Sequence, residues 1–450
     1  MSYFKNLLFV LFIFNFNISA FAQYHIKVKG IADSVCYLAY YHGNRQYVVD
    51  TSYINKNGVF IFNGRENLDP GMYIFAGHNK NKYFDFIVNN KQKLYFKTDT
   101  SDILGNLKVK KSLENKVFFQ YLNFIKSKQR LINSRKNDED KKLLSSKIKN
   151  EVYNYTTDII EKYPNLLVSE YLKLTLPLKL PDSLTDSKSK QKYYKQHFFD
   201  NINFTDKRIL NTPFFDKKIK KYFSDYLVQN PDTIIKNIDV LINRAGDCLD
   251  VKHYLIWYFT LTYERSKIMG LDAVFVHLAR KYYENDSSDW IYPKLRENII
   301  NKAKILKPLL IGKFAPNLLM LDTNNQVRAL YGVKAKYTIL FFWDSECGFC
   351  QDEIKKMKSF YNNYKDVYNF EIFGVSTDTS LFKMKNAIKK YNINWINVNA
   401  YESLTSDFHK LYDVYSTPEI YLLNGEKKII AKKIFTDDLI KFIKFYDSKK

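Results

Sequence analysis

The stretch FFWDSECGFCQDEI, residues 341–354, carries two of the chain's four cysteines, Cys347 and Cys350, two residues apart. An apolar run over 337–343 predicts a strand just before the pair, and a helix is expected from the pair to about Tyr364. Three readings compete. A zinc site needs about four ligands. Only two stand here: Cys36 and Cys248 fall in other regions, and His409 has no partner at ligand spacing, so no metal is expected. A structural staple across two residues closes so small a loop that it removes little chain entropy. A redox pair has a physical rationale. Free N–H groups and the dipole at a helix start stabilise a thiolate, which favours Cys347 as nucleophile. Cys350, one turn in and more covered, is placed to attack a mixed disulfide.

The pattern around the pair fits that reading. Residues 306–450 alternate strand and helix, with strands at 370–376, 419–423 and 428–432 and helices at 381–390, 405–412 and 436–446. Asn424-Gly425 is a hairpin signal. Such alternation implies an α/β sheet covered by helices on both faces. Upstream, residues 106–305 carry helical spacing, as in Ile234, Ile238, Leu241 and Ile242, and predict an all-α middle region. Residues 23–105 alternate with period two and hold Asn57-Gly58 before an apolar run, which predicts a small antiparallel β domain of sandwich type. The expected organisation is therefore multidomain: a leader over 1–22, a β domain over 23–105, helices over 106–305 and an α/β domain over 306–450.

Composition narrows the function. The chain has 450 residues, 70 basic and 47 acidic, for a net charge of +23. A nucleic-acid or anionic-surface binder would fit such a charge. The lysines, however, are spread along the whole chain, with no Arg-rich stripe and no zinc-finger or RRM-type motif, so no nucleic-acid partner is expected. The N-terminus places Lys5 before an apolar run at 7–14 and an Ala20-Phe21-Ala22 sequence, the pattern of a secretory signal cleaved after Ala22. Asn15 and Asn17 interrupt the run before it could span a bilayer. A periplasmic protein without stable membrane insertion is expected, and export suits disulfide chemistry.

Phe342-Trp343 followed by Cys347-Gly348-Phe349-Cys350 resembles the centre of the thioredoxin superfamily. Residues of about 311–446 resemble more closely the exported TlpA/ResA-type thiol–disulfide oxidoreductases of the AhpC/TSA–thioredoxin group. Gly312-Lys313-Phe314-Ala315-Pro316 matches that group's G-x-x-A-P opening, Gly374-Val375-Ser376 its second strand, Glu353 an acid beside its active site, and Thr417-Pro418 its cis-proline loop. The whole chain is similar to multidomain Bacteroidetes proteins with a β domain and a helical domain ahead of thioredoxin. The resemblance implies a thioredoxin-like fold and a redox-active Cys347–Cys350 disulfide, with no other cofactor. It implies Cys347 as nucleophile, Cys350 as resolving thiol and Glu353 as acid/base for Cys350. Trp343, Gly348, Phe349, Thr417 and Pro418 would frame the substrate, Trp343 chiefly by supporting the loop.

The sequence also departs from the pattern. Phe341 stands where thioredoxin has a buried Asp, Glu346 where a Trp usually precedes the first Cys, and Lys355 where the helix often has Pro. Leu340 and Asp344 occupy positions where a peroxiredoxin wants Pro and Thr or Ser, which disfavours peroxidase activity. The leading expectation is a reductase of protein disulfides supplied by a membrane electron donor. The alternatives are a client-binding or assembly protein with a redox-sensitive thioredoxin scaffold, and a disulfide oxidase or isomerase.

Overall fold

In a computed structural model of the chain, residues 22–64, 66–285, 289–405 and 407–449 are described. All but the last residue of the expected leader lie outside them. The chain divides between Tyr226 and Leu227 into two compact units.

The first unit begins with eight strands: β1 (Gln23–Lys29), β2 (Val35–His42), β3 (Arg45–Tyr53), β4 (Phe60–Asn63), β5 (Gly71–Gly77), β6 (Lys82–Val88), β7 (Lys93–Asp99) and β8 (Lys108–Lys110). They form two four-stranded sheets, in the orders β4-β1-β7-β8 and β3-β2-β5-β6. All pairs are antiparallel except β1 with β7, which run parallel. The period-two pattern of β1 buries Tyr24, Ile26 and Val28 and turns Lys27 and Lys29 outward. Aromatic pairs join the sheets: Phe60 and Phe62 of β4 meet Phe75 of β5, and Phe84 and Phe86 of β6 meet Phe96 of β7. These offset and edge contacts make the sandwich core.

Helices follow: α1 (Leu113–Asn133), α2 (Asp138–Lys162), α3 (Leu167–Thr175), α4 (Ser187–His197) and α5 (Phe214–Lys221). Ser112 caps α1 by accepting from the Asn115 amide. The buried Asn115 side chain then serves the edge strand β6, accepting from Ile87 N and donating to Ile87 O, both at 2.7 Å. Glu114 accepts from the first two amides of α3, Leu167 N and Val168 N. Helix α1 is thus fastened to the sandwich, and α3 to α1, by satisfied polar groups.

The second unit opens with α6 (Pro231–Arg244), α7 (Leu249–Glu264), α8 (Asp272–Leu278) and α9 (Pro293–Leu306). The helical middle region therefore contributes to both units. The chain continues through β9 (Leu319–Asp322), β10 (Val327–Ala329), β11 (Tyr337–Trp343), α10 (Gly348–Tyr368), β12 (Phe370–Ser376), α11 (Leu381–Lys390), β13 (Ile396–Ser403), α12 (Phe408–Tyr412), β14 (Glu419–Asn424), β15 (Ile429–Lys432) and α13 (Thr436–Asp447). One seven-stranded sheet results, ordered β10-β9-β13-β12-β11-β14-β15. Strands β11, β12 and β13 are parallel; β14 is antiparallel to β11.

Every residue of β11 is buried, because helices cover both faces of a parallel sheet core. Ile339, Phe341 and Trp343 point into a cluster with Cys350, Ile354 and Met357 of α10 and Leu439 and Ile443 of α13. Leu340 and Phe342 point the other way, towards Leu309, Phe408 and Tyr412. Strand β12 lies close against its neighbours at Gly374, which pairs with Phe341. A Cβ on Gly374 would stand 2.9 Å from both Asn397 Oδ1 and Trp395 Nε1. Gly374→Ala should therefore destabilise this unit by about 1–3 kcal/mol through overpacking, measured by denaturant unfolding. A midpoint matching the parent's would show that Trp395 and Asn397 yield freely.

Candidate active site

The site is built where β11 stops. The carbonyl of its last residue, Trp343, accepts from Thr377 N at 2.8 Å, beyond the end of β12. A three-residue loop, Asp344 to Glu346, then leads to Cys347, the N-cap of α10, with extended φ −77° and ψ 116°. The loop's amides are all used. Asp344 N donates to Cys350 Sγ at 3.5 Å, Ser345 N donates to Asp378, and Glu346 N donates to Asp344 Oδ1 at 2.8 Å. Gln351 reaches back from α10 and donates to Ser345 O at 3.0 Å.

The two thiols differ in environment. Cys347 is half-buried, and its Sγ donates to the carbonyl of Thr417 at 3.4 Å. The Thr417–Pro418 peptide is cis. Cys350 is fully buried, and burial pushes its thiol up to about 12, against the pull of hydrogen bonds from Thr417 and the Asp344 amide; its hydrogen bond and charge interaction with Cys347 add to the rise. All four cysteines are free thiols. Cys36 is buried in β2, where desolvation, reinforced by Asp33, pushes it up to about 12, so it is an inert core thiol. Cys248 is half-buried at the start of α7.

The other sequence-predicted residues fall into separate places. Gly348 is exposed and Phe349 is 82% exposed, so the dipeptide between the cysteines faces solvent. Thr417 and Pro418 are half-buried beside Cys347. Trp343 is fully buried, with its indole N–H lacking a hydrogen-bond partner among the described residues. It belongs to the core behind the loop and cannot touch a docked chain, which corrects its inclusion among the substrate contacts. Glu353 is only 5% exposed, and its Oε1 accepts from both Thr436 N and Thr436 Oγ1 at 2.6 Å. That oxygen therefore serves the first turn of α13 and joins it to α10. Phe341 lies in the same apolar cluster as Cys350, and α10 runs unbroken through Lys355.

Two acids went unnoticed in the sequence. Asp378 is buried beneath the loop, where it receives Ser345 and Ser376. Its setting, Ser376-Thr377-Asp378, carries only the signal of a turn after a strand. Glu419 follows Pro418 directly and stands opposite Phe342 in the sheet. Burial pushes it up to about 7; Lys433 and Lys432 pull it down, and Asp413 adds to the rise. Its Oε1 is buried without a hydrogen-bond partner among the described residues.

Parallel β11, β12 and β13, a bordering antiparallel β14, and cysteines at the start of α10 against a cis-proline peptide define a thioredoxin-like domain. Residues 311–432 match the AhpC/TSA family; residues 125–302 and 24–118 match two domains of unknown function, DUF5106 and DUF4369. The thiol-disulfide oxidoreductase ResA of Bacillus subtilis is 32% identical over 121 residues, covering 26% of this chain and 64% of that protein. ResA of Bacillus cereus is 27% identical over 125 residues, covering 28% of this chain and 69% of that protein. A solved domain of a possible thiol-disulfide isomerase from Cytophaga hutchinsonii is 40% identical, covers 32% of this chain and 96% of that one, and has a TM-score of 0.30. The chain thus spans just under two thirds of the length of the first of these curated relatives. Its C-terminal domain is thioredoxin-like, matching the AhpC/TSA family over residues 311–432 and resembling ResA.

Two outcomes follow from the acids. Glu353→Ala leaves Thr436 N and Oγ1 without their acceptor and should cost about 2 kcal/mol, whereas Glu353→Gln keeps an acceptor oxygen and most of the stability; denaturant unfolding compares them. For Glu419 the folded protein holds a proton that the unfolded chain releases near the ordinary value of 4.5. The group therefore lowers stability progressively as pH rises from about 4.5 to about 7, and by a constant amount above that. Glu419→Gln should remove this loss, so its melting temperature relative to the parent climbs across that window and then levels. A difference independent of pH would refute the assignment.

Proposed function

We propose that this protein is an exported, periplasmic thiol–disulfide oxidoreductase that reduces disulfides in protein clients through Cys347 and Cys350. The observation that carries the reading is the asymmetry of the pair. Cys347 sits half-buried at a helix start against the Thr417 carbonyl, while Cys350 is sealed beneath it and held as a thiol by burial. The half-buried thiol of Cys347 is the one a client can reach.

In the proposed cycle the Cys347 thiolate attacks one sulfur of a client disulfide. The client S–S bond breaks, its other sulfur leaves as a thiolate, and a mixed disulfide forms. Cys350 then loses its proton and attacks Cys347 Sγ, which releases the second client thiol. Two electrons pass to the client, and Cys347–Cys350 becomes the disulfide. A dithiol donor held at the membrane restores the reduced pair, since the periplasm itself is kept oxidising. Phe349 and the cis-proline loop form the rim on which an extended client segment would lie. The expected signal sequence over residues 1–22 would deliver the chain across the membrane.

Cys350→Ser should accumulate covalent mixed disulfides with client proteins, seen as reducible adducts after acid quenching, and Cys347→Ser should accumulate none. Equilibration of the parent with dithiothreitol or glutathione gives the direction. A reduction potential near roughly −270 mV supports the reductase, whereas a value towards roughly −120 mV makes the protein an oxidant. Absence of any reversible two-electron couple would end the catalytic reading.

A further inference from the structure

We propose that Asp378 is a positioning residue of the cysteine pair: it pins Ser345, so holding the Asp344 N–H on the Cys350 sulfur. The inference rests on the dithiol reading above and adds a determinant of the rate at which Cys350 resolves a mixed disulfide.

Asp378 is 3% exposed. Its Oδ1 accepts from Ser345 Oγ at 2.5 Å and Ser345 N at 3.2 Å. Its Oδ2 accepts from Ser376 Oγ at 2.7 Å and Ser345 N at 3.3 Å. Ser376 Oγ also accepts from Asp378 N at 3.3 Å, so its own proton points to the carboxylate. Every one of these partners donates, an arrangement that suits the ionised form. Asn399 of β13 donates to the Asp378 carbonyl at 3.2 Å and fixes its backbone. No Lys or Arg forms an ion pair with Asp378 among the described residues; Lys383 lies within its field but pairs with Glu346 at 2.8 Å.

A buried carboxylate without a counter-charge is costly, and neutral donors offset that cost only in part. What the charge holds is the link between β11 and α10. Ser345 is fixed from below by Asp378 and from α10 by Gln351. Its neighbour Asp344 therefore keeps its amide on Cys350 Sγ. The amide stabilises a thiolate on Cys350, which helps that sulfur attack a mixed disulfide. A residue that served packing alone would affect unfolding and leave the rate of that attack unmoved.

The test uses the full chain with Asp378→Ala and Ser345→Ala, each checked for folding by circular dichroism. Both variants loosen the pin and should slow release of a glutathione mixed disulfide by Cys350 about tenfold, the worth of one unit of pKa-scale interaction, while attack by Cys347 on glutathione disulfide stays within about threefold of the parent. A folded Asp378→Ala protein with the parent's release rate overturns the proposal. If that variant does not fold, Ser345→Ala decides: slowed release supports the pin, and an unchanged rate overturns it. A parent chain with no reversible couple would instead defeat the oxidoreductase reading itself.

Discussion

A strand buried on both faces must hand its chain to solvent within three residues, and the site depends on how that is done. Strand β11 has no exposed residue. Past Trp343 the amides of Asp344, Ser345 and Glu346 can no longer pair in the sheet, and each needs another acceptor. They find a sulfur, a buried carboxylate and a local side chain in turn. Satisfying the backbone and building the reactive centre are thus one task, since the first of those acceptors is Cys350 itself. A loop released from Asp378 would have to hydrate its amides and would withdraw one of them from the thiol.

The buried charges of the second unit follow the same logic at larger scale. Lys427 is buried, and its ammonium donates to Val333 O at 2.8 Å and Thr338 Oγ1 at 2.9 Å; burial lowers its pKa. Lys432 of β15 donates to Asp272 of α8 and to Leu309 O, and burial lowers it as well, with Asp272 opposing. Lys302 of α9 meets Asp413 at 2.5 Å just past α12. The Lys432–Asp272 and Lys302–Asp413 pairs cross between the helices of residues 227–309 and the sheet region that follows. Removing one partner would leave the other buried and uncompensated, which costs more than the pair contributes.

Much of this was legible in the sequence, and the reasons are local. The run at 337–343 is continuous and apolar because both faces of β11 are covered, and the cysteines mark the turn into α10. The helix over Leu381–Lys390 and the hairpin at Asn424-Gly425 carry their own periodicity and turn chemistry. The β domain showed in alternation such as that of β1, but its parallel β1–β7 pair could not, since parallel partners join residues far apart in sequence without a local turn signal. The roles of Asp378 and Glu353 were hidden for the same reason: their partners Ser345 and Thr436 lie 33 and 83 residues away. Trp343 looked like a rim residue because only the fold shows that strand and helix close over it.

The helical middle region shows how far composition can define a segment without defining its partner. Helical spacing recurs over 106–305, and one family profile spans 125–302. The compact units nevertheless part at Tyr226, inside that span. Periodicity reports that a helix has an apolar face, not what covers it. Helix α1 spends polar groups on β6 through Asn115. Beyond α9, Leu309 enters the apolar cluster on the face of the seven-stranded sheet opposite α10, where its neighbours include Leu340 and Phe342 of β11. The residues 227–309 are therefore part of what buries β11. Since that burial is what forces the chain to turn sharply at Trp343, the helical segment contributes to the geometry of the cysteine pair without touching it.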